Sequence, residues 1–190
     1  MAINDEALDV IFRAARTHRH WLDKPVSPAL LMAIYDLMRW GPTSGNTNPG
    51  RIVFVTSREA KERLKPHLDA GNVEKTMTAP VTAILGYDVE FARNMHKLNP
   101  RAGAFADAAA NQVTAFRNGS LQGAYFIIAA RSLGLDCGPM SGFDNAGVDR
   151  EFFAGTAVKS NFLCNLGYGD AAKLYPRGER LSFDEACRIV

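Results

Sequence analysis

Arginine side chains near both ends of the sequence could bind an anion together. Arg13, Arg16 and Arg19 recur every three residues, and no acidic residue lies between Asp9 and Asp23. A second basic group near the other terminus consists of Lys173, Arg177 and Arg180. A guanidinium favours phosphate because its planar fork donates two parallel hydrogen bonds. Each group alone is typical of a solvated surface, but the two would form a phosphate site if the fold brings the chain ends together.

Two polar segments rich in glycine and proline could present their backbone to a ligand. They are residues 41–49, GPTSGNTNP, and residues 138–142, GPMSG. Loops of this composition expose N–H and C=O groups with little side chain in the way. Either segment alone could be a simple turn. A flat, hydrogen-bonding heterocycle with a phosphate tail would use both segments and the arginines at once.

Other motifs point less clearly to chemistry. Residues 167–172, GYGDAA, fit the dinucleotide pattern G-x-G-x-x-A, but Pro176 interrupts the helix that must follow, so we expect a turn. His18 and His20 stand two residues apart, and no carboxylate or cysteine completes a familiar metal spacing, so we expect no metal site. A hydrolase nucleophile is disfavoured because no cysteine adjoins a histidine and no G-x-S-x-G occurs.

The elements that must position these residues are mostly helices, with few strands. Apolar spacing predicts a first helix that Asn4 or Asp5 caps, that carries Arg13, Arg16 and Arg19 at its end, and that stops before Pro25. A second helix is predicted to start at Ser27-Pro28 and to end at Gly41-Pro42. Further helices are predicted over 57–68, 105–133 and 145–153, and a capping box over 182–185 opens a last helix. Strands are predicted over 52–56, 81–85 and 161–166, and the weakly periodic stretch 88–104 predicts a lid or an excursion.

Glycines inside the longest predicted helix require a reason. Gly119 and Gly123 each disfavour a helix by about 1 kcal/mol relative to alanine. They therefore predict either a close approach of another backbone or a break. The helix also carries small and apolar residues on several faces, which is typical of a central or dimer-forming helix.

Length and composition limit the class of protein. The chain has 190 residues, of which 47% are hydrophobic and 22% charged, and this predicts one globular domain over residues 1–190. The net charge of +2 gives no case for nucleic-acid binding. The longest apolar run, residues 124–130, is too short for a membrane span, and no secretory signal is visible. Three cysteines without a CxxC spacing suggest free thiols, so we expect a cytoplasmic protein.

Five segments together carry a family signature. They are RTHRHWLDKPV over 16–26, WGPTSGNTNP over 40–49, APV over 79–81, GPMSGFD over 138–144 and NLGYG over 165–169. In this order and spacing the chain resembles the FMN-dependent nitroreductase family over nearly its whole length. It is similar to the subgroup that includes the malonic semialdehyde reductase of pyrimidine breakdown. The resemblance implies an α+β, nitroreductase-like three-layer fold: a central, mostly antiparallel sheet flanked by helices, in an intertwined homodimer with FMN at the interface.

The resemblance assigns the phosphate end of FMN to both chain ends. Arg16 and Thr17 match family positions near the phosphate, and Arg180 matches a C-terminal basic residue that closes on it. Arg177 is a further candidate for the same role. Arg19 matches a position, often basic, near the pyrimidine edge of the flavin.

The resemblance assigns the flavin ring to three other segments. The loop that reaches the ring from the partner subunit is matched by Pro42, Thr43, Ser44 and Asn46. Asn72 matches, to within one residue, an asparagine over the ring system. The segment whose backbone lies beside the reactive N5 is matched by Pro139, Met140, Ser141 and Gly142.

The implied mechanism is a hydride relay. NADH or NADPH passes hydride to flavin N5 and leaves, and a small organic acceptor then takes the hydride. The flavin does the bond chemistry, so we expect ping-pong kinetics and no essential side-chain acid or base. A carboxylate-bearing acceptor would favour cations at the open face, for which Arg93, Lys97 and Arg101 are candidates against the plainer interpretation of a solvated surface. The alternatives are a flavin-binding carrier or sensor without turnover, and a dimeric structural protein.

Overall fold

A computed structural model describes residues 2–103, 105 and 107–190. The chain begins with a short helix, α1 (Asp5–Leu8), in which the side chain of Asn4 accepts a hydrogen bond from the Ala7 amide. A π-helical turn over Asp9–Arg13 follows. The helix therefore ends at Arg13, and the prediction that it also carries Arg16 and Arg19 is wrong. These two arginines lie in the irregular segment after it, which is paired with the sheet through a bridge between Thr17 and Cys137.

Four strands form one antiparallel sheet in the order β1-β2-β4-β3. They are β1 (Gly50–Val55), β2 (Val81–Asp88), β3 (Asp136–Met140) and β4 (Val158–Gly167). The register places Ala83 of β2 between Phe54 of β1 and Cys164 of β4. β2 is almost wholly buried because it lies inside the sheet and is covered on both faces.

Helices cover both faces of the sheet and produce three layers. On one face, α2 (Pro28–Met38) and α6 (Ala108–Ser132) pack against alternate residues of β2, including Ala83 and Leu85. On the other face, α3 (Arg58–Leu64) and α7 (Asn145–Phe152) pack around Ile84 and Leu163. α4 (Ala70–Thr78) lies beside α3, while α5 (Met95–Leu98) and α8 (Phe183–Ala186) are single turns. The architecture confirms the predicted three-layer α+β fold.

The long helix α6 is continuous through both of its glycines. A Cβ atom on Gly119 would lie 2.8 Å from Cβ of Tyr87, and one on Gly123 would lie 2.5 Å from a ring carbon of Phe162. The glycines therefore allow the helix backbone to approach β2 and β4 directly, and the alternative of a helix break is excluded.

Several element boundaries differ from prediction. Residues 138–142 were expected to form a loop, but Gly138–Met140 belong to β3, where Pro139 pairs with Cys164. Proline is tolerated there because β3 is an edge strand. The helix predicted over 57–68 ends at Leu64 and continues as a 3₁₀ turn over Lys65–His67, since Pro66 lacks an amide hydrogen. The nine-residue helix α4 was not predicted.

Residues 88–103 form an excursion packed on α6, and residue 104 of the predicted lid or excursion lies outside the described residues. The excursion contains a 3₁₀ turn over Phe91–Asn94 and then α5. Phe91 and Met95 form a small buried cluster with Ala115 of α6. Across the described ranges, no helix combines the length and the apolar character needed to cross a membrane.

Candidate functional site

The two predicted basic groups meet around one cleft of about 500 Å³. We call it the arginine cleft after its lining guanidinium groups, which belong to Arg13, Arg16, Arg19, Arg131, Arg177 and Arg180. Thr17 and Tyr175 also line it. The fold thus brings together residues from the segment after α1, the end of α6 and the extended C-terminal segment.

Direct contacts hold the two chain ends together at this cleft. Nη2 of Arg177 donates to the carbonyl oxygens of Arg13, at 2.7 Å, and of Ala15, at 2.9 Å. Arg16 donates to the carbonyl oxygen of Tyr175. The guanidinium carbon of Arg19 lies 5.1 Å from the centre of the Tyr175 ring. The cleft is therefore built by long-range contacts and is more than a chance neighbourhood of surface side chains.

The arginines of the cleft differ in how far their charge is compensated. Arg13 pairs with Asp5 at 2.9 Å and with Asp9 at 2.6 Å, and these hydrogen bonds, first that to Asp5, raise its pKa above the usual value. No carboxylate of the described residues lies within 4 Å of the other five guanidinium groups, which are those of Arg16, Arg19, Arg131, Arg177 and Arg180. The cleft is therefore strongly positive and suits a dianionic group.

Arg131 is the cleft residue that sequence reasoning missed. It stands in the last turn of α6, and its Nη1 donates to the carbonyl oxygen of Ile11 at 3.0 Å. Its Nε is buried without a hydrogen-bond partner among the described groups. The sequence pattern marks it only as a helix-terminal cation, because its neighbours in the cleft come from the distant chain ends.

The segment between Thr17 and Trp21 is fixed by the sheet and by the turn after β4. The His18 amide donates to the Cys137 carbonyl oxygen at 3.0 Å, and the buried His18 ring lies with Nε2 3.4 Å from Oδ1 of Asp136. A Cβ on Gly169 would overlap the ring of His18. Gly167 is the last residue of β4, Gly169 forms a bridge with Trp21, and a 3₁₀ turn over Ala171–Lys173 follows. The chain therefore turns after the strand, as predicted.

α4 joins the remaining segments of the site. The Asn72 side chain donates to the Gly142 carbonyl oxygen at 2.6 Å, so two of the predicted flavin-ring residues are in contact. At the other end of the helix, the Lys75 carbonyl oxygen accepts hydrogen bonds from Nε1 of Trp21, at 3.0 Å, and from the side chain of Asn165, at 3.1 Å. The Trp21 segment, α4 and the end of β3 therefore form one continuous structure.

A buried lysine also supports the end of α4. Nζ of Lys61 donates to the carbonyl oxygens of Thr76, at 2.7 Å, and of Ala79. Burial lowers the pKa of Lys61 from 10.5 to about 8, because an ammonium group is disfavoured away from water.

The loop over residues 42–48 is built tightly but lies apart from the cleft. The amide of Ser44 donates to the side chain of Asn118 on α6 at 2.7 Å. Asn118 and Arg131 are thirteen residues apart on α6, which is about 20 Å at the rise of an α-helix. One protomer therefore does not bring Pro42, Thr43, Ser44 and Asn46 to the arginine cleft.

The proposed acceptor cations are not equivalent. Arg93 is engaged with Oδ2 of Asp88 at 3.0 Å and with Glu90 at 3.1 Å, and the hydrogen bond to Asp88 raises its pKa. Lys97 and Arg101 are exposed and form no ion pair with the part of the chain that the structure describes. The described residues contain no group of three His, Cys, Asp or Glu side chains arranged to hold a metal ion.

The family model described as the nitroreductase family matches residues 12–168. The match includes the segment with Arg16 and Arg19 and all four strands. The chain belongs to the nitroreductase family, which confirms the family predicted from its sequence segments.

A relative from Stenotrophomonas maltophilia strain K279a, provisionally named NADH dehydrogenase/NAD(P)H nitroreductase, is 59% identical over 193 residues, covering 100% of this chain and 98% of the relative. The crystal structure of a protein described as the nitroreductase ydfN of Bacillus subtilis matches with a TM-score of 0.86 at 19% identity, over 98% and 100% of the two chains. An Exiguobacterium sibiricum protein, described as a nitroreductase and solved in complex with FMN, has a TM-score of 0.86 at 17% identity, over 100% and 99%. At these identities the structural matches establish the fold.

Proposed function

We propose that this chain is an FMN-dependent NAD(P)H oxidoreductase that acts as a homodimer on a small organic acceptor. The observation that carries the proposal is the arginine cleft, where five guanidinium groups without carboxylate partners among the described residues meet at the junction of the chain ends. This charge suits an anion, and a terminal phosphate provides two negative charges on one compact group.

The residues of the cleft fit the phosphate of FMN. Arg16, Arg177 and Arg180 offer guanidinium donors, and Thr17 adds a hydroxyl on the same wall. Arg131 lines the same cleft and adds a further guanidinium charge to it. We assign the phosphate to these residues.

The flavin ring is assigned to the segments that α4 joins to the cleft. Arg19 follows the phosphate residues directly and would place positive charge at the pyrimidine edge. Asn72 and residues Pro139, Met140, Ser141 and Gly142 would lie against the ring and N5. The contact between Asn72 and Gly142 supports this grouping, since the two share one surface.

A second copy of the chain would complete the site. The loop with Pro42, Thr43, Ser44 and Asn46 is remote from the cleft of its own protomer, so it would contact the flavin of its partner. Large apolar side chains are exposed on the outer faces of α2 and α6 and directly after α2. They include Met32, Tyr35, Trp40, Val113, Phe116 and Leu121. Exposed apolar clusters of this kind mark protein interfaces.

Bound FMN would supply hydride transfer between the nicotinamide and the acceptor. The protein's own residues would bind the phosphate, orient the ring and supply positive charge at its edge through Arg19. No side-chain acid or base is assigned a catalytic role. The acceptor class includes small aldehydes such as malonic semialdehyde, for which Lys97 and Arg101 are the available cations.

The anaerobic visible spectrum of the purified protein tests the proposal. We expect a yellow protein whose flavin band bleaches on addition of NADH or NADPH and returns when an acceptor is added. A flavin band that persists with both nucleotides would indicate a carrier or sensor. The absence of any band after incubation with FMN would show that the cleft serves another purpose.

A further inference from the structure

Asp88, at the end of β2, is a buried carboxylate that binds two arginines. Its side chain is 1% exposed. Oδ2 accepts hydrogen bonds from Nη2 of Arg51, at 2.9 Å, and from Nη2 of Arg93, at 3.0 Å. Oδ1 accepts from the Glu90 amide at 2.9 Å. Both oxygens are therefore used, and the carboxylate joins the start of β1 to the start of the excursion over residues 88–103.

Arg51 connects this carboxylate to one end of the loop over residues 42–48. Its Nη1 donates to the carbonyl oxygens of Asn48, at 3.0 Å, and of Gly50, at 2.8 Å. The amide of Asp88 donates to the Pro49 carbonyl oxygen at 2.9 Å. The last residues of the loop are thus bound both by the side chain that Asp88 orients and by the backbone of Asp88 itself.

The excursion that Arg93 attaches to Asp88 also contacts the middle of the same loop. The excursion that begins at Asp88 continues through α5, where the Leu98 carbonyl oxygen accepts a hydrogen bond from the Asn46 side chain at 2.8 Å. The Asn99 side chain donates to the Gly45 carbonyl oxygen at 3.1 Å. Through Arg51 and through the excursion that contains Arg93, Asp88 is connected to both the middle and the end of the loop. We call this set of contacts the Asp88 network.

The loop needs such support because its backbone is unusual. Gly45, Asn46 and Asn48 have φ angles of 58°, 57° and 43°. Asn46 and Asn48 are the non-glycine residues with positive φ in the described ranges. Non-glycine residues rarely adopt a positive φ angle unless surrounding contacts impose it, and residues with this backbone conformation concentrate at ligand contacts.

We propose that Asp88 is a positioning residue that, through Arg51 and Arg93, holds the loop in the shape that contacts the flavin of the partner subunit. This inference rests on the proposed function, which assigns the loop to that flavin. Asp88 is buried and both of its oxygens accept hydrogen bonds from the protein, so it would act on the loop through its neighbours. Its removal would leave two arginines without their shared carboxylate and weaken the support of the loop at its middle and at its end.

The test compares Asp88→Asn with Asp149→Asn. Asp149 is a matched control because it is a carboxylate, 16% exposed, that also joins a backbone amide to a cation, with Oδ1 accepting from the Ser160 amide at 2.7 Å and Oδ2 3.7 Å from Nζ of Lys159. Each apoprotein is titrated with FMN, and hydrogen exchange of residues 42–50 is followed without FMN. We expect Asp88→Asn to weaken FMN binding about tenfold, because a misplaced contact loses its alignment with the ligand, and to speed exchange in the loop. We expect Asp149→Asn to leave both unchanged.

Arg93→Gln tests the inference if Asp88→Asn does not fold. Arg93 is 54% exposed, so its replacement removes the ion pair with Asp88 and has little effect on the core. We expect weaker FMN binding that Arg93→Lys partly restores. If Asp88→Asn has the FMN affinity and the loop exchange of wild type, the positioning role alone is overturned. If only Arg93→Gln folds, the same result in that variant overturns the positioning role. A wild-type protein that does not bind FMN would overturn the proposed function as well.

Discussion

Nη2 of Arg177 donates to the carbonyl oxygen of Arg13 at 2.7 Å, across 164 residues of sequence. This hydrogen bond fixes the C-terminal segment against the turn that precedes Arg16. It therefore places Arg180, which is on the same segment, at the same cleft as Arg16. The phosphate assignment depends on Arg16 and Arg180 lying at the same cleft. Because backbone carbonyl oxygens hold the two segments together, this arrangement forms without a bound anion.

Arg180→Ala tests the phosphate assignment. Loss of one charge-assisted hydrogen bond contributes about 1.5–3 kcal/mol, so we expect FMN binding to weaken by about ten- to a hundredfold. Riboflavin lacks the phosphate, and its affinity should not change. Fluorescence titration of the apoprotein with each flavin measures both. Arg58→Ala, at an exposed residue outside the cleft, is the control, and equal loss of affinity for both flavins would contradict the assignment.

Arg19→Ala tests whether this residue tunes the flavin. A cation at the pyrimidine edge stabilises negative charge that develops when the ring is reduced. We expect the variant to have a lower flavin reduction potential and slower reduction by NADH or NADPH. Potentiometric titration and stopped-flow reduction give the two quantities. Arg39→Ala, which removes an exposed cation that pairs with Asp36 at 3.8 Å, serves as the comparison. A potential equal to that of wild type would remove Arg19 from this role.

The local signals in the sequence predicted most of the helices. Ser27 and Pro28 begin α2 as predicted, and the capping box opens α8, although α8 is only four residues long. The glycines of α6 predicted a close approach because their cost within a helix needs a compensating contact. In contrast, β3 was missed because Gly138 and Pro139 are turn-forming residues, and only the position of β3 at the sheet edge makes them acceptable.

The two basic groups at the chain ends meet at one cleft, as their positions in the sequence and the family resemblance predicted. The meeting of Arg16 with Arg180 was predicted, whereas Arg131 was not. The contacts of Asp88 with the arginines were also missed. Arg51 and Asp88 are 37 residues apart in the sequence, and only the register of β1 and β2 brings them together. Pairings of this kind depend on tertiary structure, and a single sequence gives no periodic signal for them.

Lys61→Met tests the effect of the buried ammonium group on stability. The pKa of Lys61 is lowered by burial to about 8 in the folded protein, so between pH 8 and 10.5 the unfolded chain binds a proton that the folded chain lacks. Stability from this residue therefore rises with pH across that window, by at most about 1.4 kcal/mol per pH unit. Urea unfolding at pH 7.5 and pH 10 should show a smaller rise in Lys61→Met than in wild type. Lys65→Met, at an exposed neighbour, should retain the wild-type rise, and identical pH dependence in all three proteins would contradict the prediction.

Leu121→Arg tests the proposed homodimer. Leu121 is 45% exposed on the outer face of α6, beside Val113 and Phe116, in a shallow apolar depression. A buried arginine without a partner is strongly unfavourable at an interface, so the variant should become monomeric in sedimentation velocity. Because the partner's loop would complete the flavin site, the monomer should also bind FMN more weakly. Ala154→Arg, at an exposed position in the turn after α7, should remain dimeric and bind FMN normally. A monomeric Leu121→Arg variant with wild-type FMN affinity would show that one protomer is sufficient for the flavin site.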